Sequence, residues 1–359
     1  MEGLCEGGPH TWPFHGRVQR ICADRGSCGI VERNRFRTGR RRETYARGRE
    51  PIAKRRWQTV TAPAGDWRLI REESRPGPMQ MALDEVAAET AAAGGPATVR
   101  TYRWDPSCLT LGYRQAPETV DWAFCEREGI DVTRRQTGGG GIYHDARGDV
   151  AYSIAVPAAD VPGELLDCYH LLCEPVLDAF DRLGIDADYV EESMPEIYHP
   201  ACYLRELHPA HDVVAGDAGN EDSGGDDRRR KIAGNAQYRK REAVIQHGSL
   251  TFSVEAERHL GTFADPPVTP AEFGDRVVGM DELADIDRED AVAAVEGALV
   301  AWVAGEGGDR AGVALDREGV DLDRDGSWTD AELRRAEELV ETKYRDEEWV
   351  RTRPGRDSS

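Results

Sequence analysis

Lysine is nearly missing from this sequence: Lys54, Lys231, Lys240 and Lys343 are the whole set, and the other 42 of its 46 basic residues are arginines. Basic charge as a whole is scarce, with 67 acidic residues giving a formal charge of -21 over 359 residues, which argues against generic binding of a phosphate backbone by the chain as a whole. A surface so acidic and lysine-poor is the kind that stays soluble when salt screens charge repulsion, which predicts a cytoplasm of high ionic strength. No apolar run approaches the length of a membrane-spanning helix, so a soluble chain of about two domains is expected. No C-x-x-C pair occurs among the 8 cysteines, so neither a secreted disulfide framework nor the tight turn of a structural zinc site is indicated. Cys5, His10, His15, Cys22 and Cys28 supply possible zinc-ligand types without that spacing.

What charge there is divides unevenly. Residues 1–57 hold 14 Lys+Arg against 6 Asp+Glu, a balance of +8, which leaves -29 for residues 58–359. The basic stretch has no apolar periodicity and reads as a disordered tail or as sequence ahead of the true start; a nucleic-acid-binding arm is the functional alternative. Residues 58–265 read as an α+β domain and residues 266–359 as an acidic, helix-rich extension. Strands are predicted at 58–62, 66–70, 98–104, 108–112, 131–135, 149–156 and 243–252, the third and fourth as a hairpin or as sequential strands. An amphipathic helix is predicted from Met79 to the Gly94-Gly95-Pro96 stop, with further helices at 119–128 and 164–183. The polar, Gly-rich stretch at about 215–229 cannot bury apolar surface and reads as a mobile insertion.

Three features carry chemistry. Gly138-Gly139-Gly140-Gly141 follows Arg134-Arg135 and precedes Tyr143-His144-Asp145. Four glycines in a row imply close approach to the backbone, and their N–H groups with two arginines suit a phosphate or carboxylate; a merely flexible loop fits as well. Lys231 opens the strand-like Lys231-Ile232-Ala233-Gly234 run in a chain that otherwise uses arginine, and a compact ammonium suits an acyl carbonyl beside a phosphate; a solvated surface lysine is the alternative. Asp321, Asp323, Asp325 and Glu332 satisfy the calcium-loop pattern of an EF-hand, although Thr329 with Glu332 also reads as a helix capping box.

Taken together, Arg134–Asp145, Lys231–Gln237 and Gln246–Leu250 resemble, in order and spacing, the linked motifs of the lipoate-protein ligase A and octanoyltransferase family, with Asn235 where serine is common. Weaker echoes lie at Met79–Glu85, Tyr102–Gln115 and Lys343–Trp349. The resemblance implies a biotin/lipoate ligase-like mixed β-sheet flanked by helices, with a small helix-rich C-terminal region. It implies that Arg135, Gly138, Gly139, Gly140, Tyr143, His144, Asp145, Gly234, His247 and Gly248 bind acyl group or nucleotide and that Lys231 holds the activated carbonyl. The expected activity is ATP- and Mg2+-dependent lipoate-protein ligation through acyl-AMP. The alternative is octanoyl transfer from acyl carrier protein through a Cys202 thioester, without ATP, since Cys202 stands about where cysteine-type octanoyltransferases carry their nucleophile; a buried, inert cysteine is the plain alternative for that residue. Lipoate or octanoate is the implied substrate, and the implied acceptors are lipoyl domains of 2-oxoacid dehydrogenase complexes or a glycine-cleavage H-type protein.

Overall fold

The computed structural model describes residues 62–209, 211–216, 229–305 and 320–352. The basic stretch 1–57 and most of the acidic insertion lie outside the described residues. In chain order the regular elements are β1 (Gly65–Arg75), α1 (Gly77–Ala92), β2 (Ala97–Trp104), β3 (Cys108–Leu111), α2 (Trp122–Arg127) and β4 (Asp131–Arg134). Next come β5 (Ile142–His144), β6 (Asp149–Pro157), α3 (Leu165–Arg182), β7 (Ala187–Tyr189), β8 (Asp212–Ala215), β9 (Arg230–Arg239) and β10 (Ala243–Thr251). Helices α4 (Ala256–Gly261), α5 (Pro270–Gly274), α6 (Met280–Leu283) and α7 (Arg288–Ala304) follow, then β11 (Val320–Asp323), α8 (Asp330–Leu339) and α9 (Glu347–Arg351).

Among the described residues the strands form a mixed sheet in the order β11-β1-β2-β6-β10-β9-β8-β7 and a smaller one in the order β4-β3-β5. The expected architecture, a mixed sheet flanked by helices with a helix-rich C-terminal region, is therefore what the chain adopts. Strands β1 and β2 run parallel, which requires a crossover, and α1 provides it; from β2 through β7 every pairing in the large sheet is antiparallel. Strands β2 and β3 are sequential but belong to different sheets, so they are not a hairpin.

The expectation of an amphipathic α1 needs correction. Pro78 in its first turn and the helix-forming run from Met79 to Ala92 explain why it forms, but it is buried on nearly every side, Gln80, Asp84 and Glu85 included. Its residues pack with those of β2, β6 and β10 on one side, while α8 covers another, so a polar stripe would have no water to face. The opposite face of the large sheet is covered by α3 and α7, whose Leu172, Val176, Phe180, Leu299 and Trp302 share a core with Trp67, Val99 and Ile154. Trp67 and Trp302 meet edge to face at 5.5 Å.

The residues after 265 are thus woven into the same core: α7 covers the sheet and β11 extends it beside β1. The insertion also begins later than the composition indicated, because Ala215 is a buried strand residue of β8 paired with Arg230.

Candidate active site

A cavity of about 680 Å³ draws its walls from both sheets. The loop after β4 contributes Arg135, Gly138 and Gly139, β9 contributes Lys231, and Cys202 comes from the segment ahead of β8. The glycine loop and Lys231, nearly a hundred positions apart in sequence, therefore face one space, with Met81, Tyr102, Trp104 and Ile142 supplying apolar and aromatic wall.

The glycine run serves a backbone contact within the chain. Gly141 N–H donates to the Pro200 carbonyl at 2.7 Å and Cys202 N–H donates back to the Gly141 carbonyl at 2.8 Å, a short parallel ladder. A Cβ on Gly140 would stand 2.6 Å from the Pro200 carbonyl oxygen and 2.8 Å from the Cys202 nitrogen, so only glycine admits this approach. Gly139 has φ +99°, the left-handed region that glycine adopts without strain. Among the described cysteines, Cys202 borders the cavity, whereas Cys108, Cys125, Cys168 and Cys173 are buried in packed core. Burial pushes the thiols of Cys125 and Cys173 up to about 12.

Lys231 is 2% exposed, and its backbone is gripped by the chain entering α6: Lys231 N–H donates to Arg276, and Val278 N–H donates to Lys231. Its Nζ lies 2.7 Å from Asp212 Oδ1, donates to the Cys202 carbonyl at 3.4 Å, and stands 5.1 Å from the centre of the Tyr203 ring. Burial by itself would lower the lysine pKa, but the charges of Asp212 and Cys202 outweigh it and hold the group above its ordinary value, so the ammonium is retained. Burial likewise opposes the charge on Asp212, and Lys231 with His211 reverses that, keeping its carboxyl below the usual range.

Other expected residues divide by position. His144 and His247 line the cavity with both ring nitrogens engaged: His144 with Asp149 and with Thr110 Oγ1 at 3.0 Å, His247 with Asp84 at 2.9 Å and Thr137 Oγ1 at 2.8 Å. Gly234 and Gly248 also line it, and at Gly248 a Cβ would fall 2.5 Å from Asn235 Oδ1. Arg135 lines it too, but its guanidinium faces inward onto the loop, donating to the carbonyls of Thr110 at 2.8 Å and of Gly138 and Gly140 at 2.7 Å each. That orientation has a physical reason: a glycine loop bent against Cys202 turns carbonyls into the protein, and buried carbonyls require donors.

Tyr143 and Asp145 do not face this cavity. Tyr143 Oη donates to Asp145 at 2.7 Å and accepts from Arg258 at 2.8 Å, Asp145 caps the backbone of Arg147 and Gly148, and both border a separate void of about 30 Å³. Neighbouring Arg134 clamps α9, donating to the carbonyls of Trp349 and Val350 at 2.9 Å each. The calcium-loop pattern has another use: Asp321 and Asp323 lie in β11, while Glu332 is paired with Arg68 at 2.6 Å, accepts from Thr90, and caps Thr329. Among the described residues no cluster of metal-ligating side chains is present.

Sequence reasoning missed the carboxylates behind these groups: Asp84, Asp149 and Asp212. The available signal was an acidic residue inside or against an apolar run, Leu83-Asp84-Glu85-Val86 and Asp212-Val213-Val214, since a carboxylate at such a place is paired or is not tolerated.

Comparison with known proteins bears on family and fold. The model of the lipoyl protein ligase A/B catalytic domain matches residues 76–300. The chain is 31% identical over 210 residues to the octanoyltransferase LipM of Geobacillus kaustophilus, covering 56% of this chain and 70% of that protein. It is 27% identical over 313 residues to the octanoyltransferase LipM of Brevibacillus brevis, covering 79% and 98%. Among solved structures, a lipoate-protein ligase A bound with ATP superposes with a TM-score of 0.60 at 23% identity over 81% of this chain and 99% of that one. The bipartite lipoate protein ligase of Thermoplasma acidophilum, studied with its E2 lipoyl domain, gives 0.60 at 20% over 83% and 100%. At those identities the structural likeness is one of fold.

Proposed function

Because this chain belongs to the lipoyl protein ligase A/B catalytic domain family, whose work is protein lipoylation, we propose that it is an octanoyltransferase that carries the acyl group on Cys202. The single observation that carries this reading is the position of Cys202: the cavity-facing cysteine among those described, laddered to the glycine loop and with its carbonyl 3.4 Å from the Lys231 ammonium. The relatives named octanoyltransferase LipM point the same way. The ATP-dependent ligase favoured by the motifs has less support, because Arg135, which that reading aims at a phosphate, already donates to three backbone carbonyls.

In this mechanism the octanoyl chain lies along the apolar wall beside Met81 and Trp104, with its thioester carbonyl at Cys202. The Cys202 thiolate attacks that carbon, and the sulfur of the donor, an octanoyl carrier protein, leaves. The fixed charge of the buried Lys231, held at the Cys202 carbonyl, stabilises the oxyanion that forms on attack. A lysine of a lipoyl domain then attacks the Cys202 thioester, forming the amide and freeing the sulfur. ATP takes no part.

The test is incubation with octanoyl carrier protein and an apo lipoyl domain, with and without ATP, read by intact-protein mass. Octanoylation of the acceptor without ATP, together with an octanoyl adduct on the enzyme that Cys202→Ser abolishes, is the expected result. Modification only from free lipoate or octanoate plus ATP, persisting in Cys202→Ser, overturns it in favour of the ligase.

A further inference from the structure

Four imidazoles besides His211 line the cavity, and their partners differ in kind. His144 and His247 have both nitrogens engaged within the protein, so neither presents an open ring nitrogen to the cavity. His199 pairs with Glu196, but both side chains are more than half exposed, and such a pair imposes little orientation. His208 stacks on His211 at 5.5 Å, and its backbone N–H donates to Asp212 Oδ2 at 2.8 Å.

His211 is held differently. Its Nδ1 lies 3.3 Å from Asp212 Oδ2, the second oxygen of the carboxylate whose first oxygen holds Lys231 at 2.7 Å. Its carbonyl accepts from Asn235 Nδ2 at 3.0 Å, and its ring packs at 5.5 Å against both Tyr169 and His208, so ring and backbone are oriented from three sides. A carboxylate on Nδ1 selects the tautomer with its proton there and leaves Nε2 as the basic atom. No hydrogen bond to Nε2 occurs among the described residues, and the side chain lines the cavity and is 35% exposed.

We propose that His211, oriented by Asp212, is the general base that deprotonates the incoming acceptor lysine. This rests on the transferase reading. The Cys202 carbonyl, Lys231, Asp212 and His211 form one chain of contacts, and Cys202 and His211 line the same cavity. An acceptor lysine arrives as an ammonium and is no nucleophile until it loses a proton, and Lys231, already protonated, cannot accept one. His211 Nε2 takes that proton, and the neutral amine forms a C–N bond to the octanoyl carbon. The C–S bond then breaks with its electron pair going to Cys202 Sγ, a thiolate again beside Lys231. The second proton on the new amide nitrogen passes to water at the cavity mouth, and His211 releases its own to solvent. Asp212 thus serves two groups of opposite duty: it fixes Lys231 as a permanent charge and holds the neutral His211 as a proton acceptor.

The two half-reactions separate the proposal from its premise. The full chain is loaded with octanoyl carrier protein and the acyl-enzyme is followed by intact mass, then apo lipoyl domain is added and its octanoylation timed. In His211→Ala and His211→Asn the acyl-enzyme is expected to accumulate while transfer to the acceptor falls roughly 10²- to 10⁴-fold, the range for loss of a general base. Added imidazole is expected to restore part of the rate in His211→Ala. Transfer at the wild-type rate in either variant overturns the proposal. So does full recovery in His211→Asn, which keeps a donor for Asp212 and would show that orientation is all His211 provides, and so does an equal loss in both half-reactions. If the wild-type chain forms no acyl-enzyme, the transferase reading itself fails and the proposal falls with it.

Discussion

Cys202 donates its backbone N–H to the carbonyl of Gly141 at 2.8 Å, so the cysteine of the cavity is registered by the glycine loop. A nucleophile needs its sulfur placed to a fraction of an ångström, and a backbone ladder sets position more rigidly than side-chain packing on a loop.

That relationship predicts the effect of one methyl group. Gly140→Ala puts a Cβ within 3 Å of the Pro200 carbonyl oxygen and the Cys202 nitrogen, with backbone on both sides and nothing able to yield cheaply. A loss of about 1–3 kcal/mol in urea unfolding is expected, as for an overpacked interior, with a larger proportional fall in kcat because the thiol is displaced. Unchanged kcat in a destabilised variant would show that the ladder does not position Cys202.

Lys231 and Asp212 form a buried pair whose members depend on each other. Lys231→Met leaves the Asp212 carboxylate in the interior with only His211 and the His208 backbone N–H beside it, and a stability loss of about 3–5 kcal/mol is expected together with loss of activity. Adding Asp212→Asn removes the stranded charge and is expected to recover most of the stability and none of the activity. Denaturant titration beside the transfer assay checks both parts.

His259 is buried among Tyr143, Tyr203, Phe263 and Phe273, with no partner for Nε2 among the described residues. Burial first, and then the positive surroundings of His144 and Lys231, bring its pKa down to about 3 from the ordinary 6.5. Between those values the unfolded chain binds a proton that the folded chain refuses. Stability is therefore complete above about pH 6.5 and falls as the pH drops toward 3. His259→Phe is expected to flatten that dependence, measured as the denaturation midpoint across the window; an unaltered slope would assign it to other groups.

Glu332 occupies the last position of the calcium-loop pattern while paired with the buried Arg68. Titration calorimetry with calcium is expected to give no binding heat. Glu332→Gln is expected to destabilise the fold by about 3–5 kcal/mol, as for a buried cation that loses its partner, with activity following only the fraction folded.

Much of the fold was legible because it follows from local pattern. The 3.6-residue spacing over Leu165–Phe180, the apolar run at Asp149–Val156 and the glycine stop after α1 each constrain their own neighbourhood, and the elements stand where those signals lie. The strand beginning Lys231 and the oligoglycine motif were visible as chemistry for the same reason: an unusual residue type needs no partner to be noticed. Where the local signal misled, a distant element intervened, as when α8 covered the outer side of α1 and made an amphipathic helix a buried one.

What the sequence determined by itself, then, was the repertoire: a mixed sheet with helices, a glycine loop able to accept another backbone, a lysine in a chain that has few, and a cysteine some thirty positions ahead of it. Tertiary structure alone decided which groups are charged and which face the cavity. Arg135 was drawn inward by carbonyls that only the folded loop exposes to it, Tyr143 and Asp145 were turned to the other side of β5, and Asp212 was set between Lys231 and His211. The reason is that a side chain's protonation and direction depend on partners within a few ångströms, and pairing β8 with β9 across the insertion is what brings those partners together.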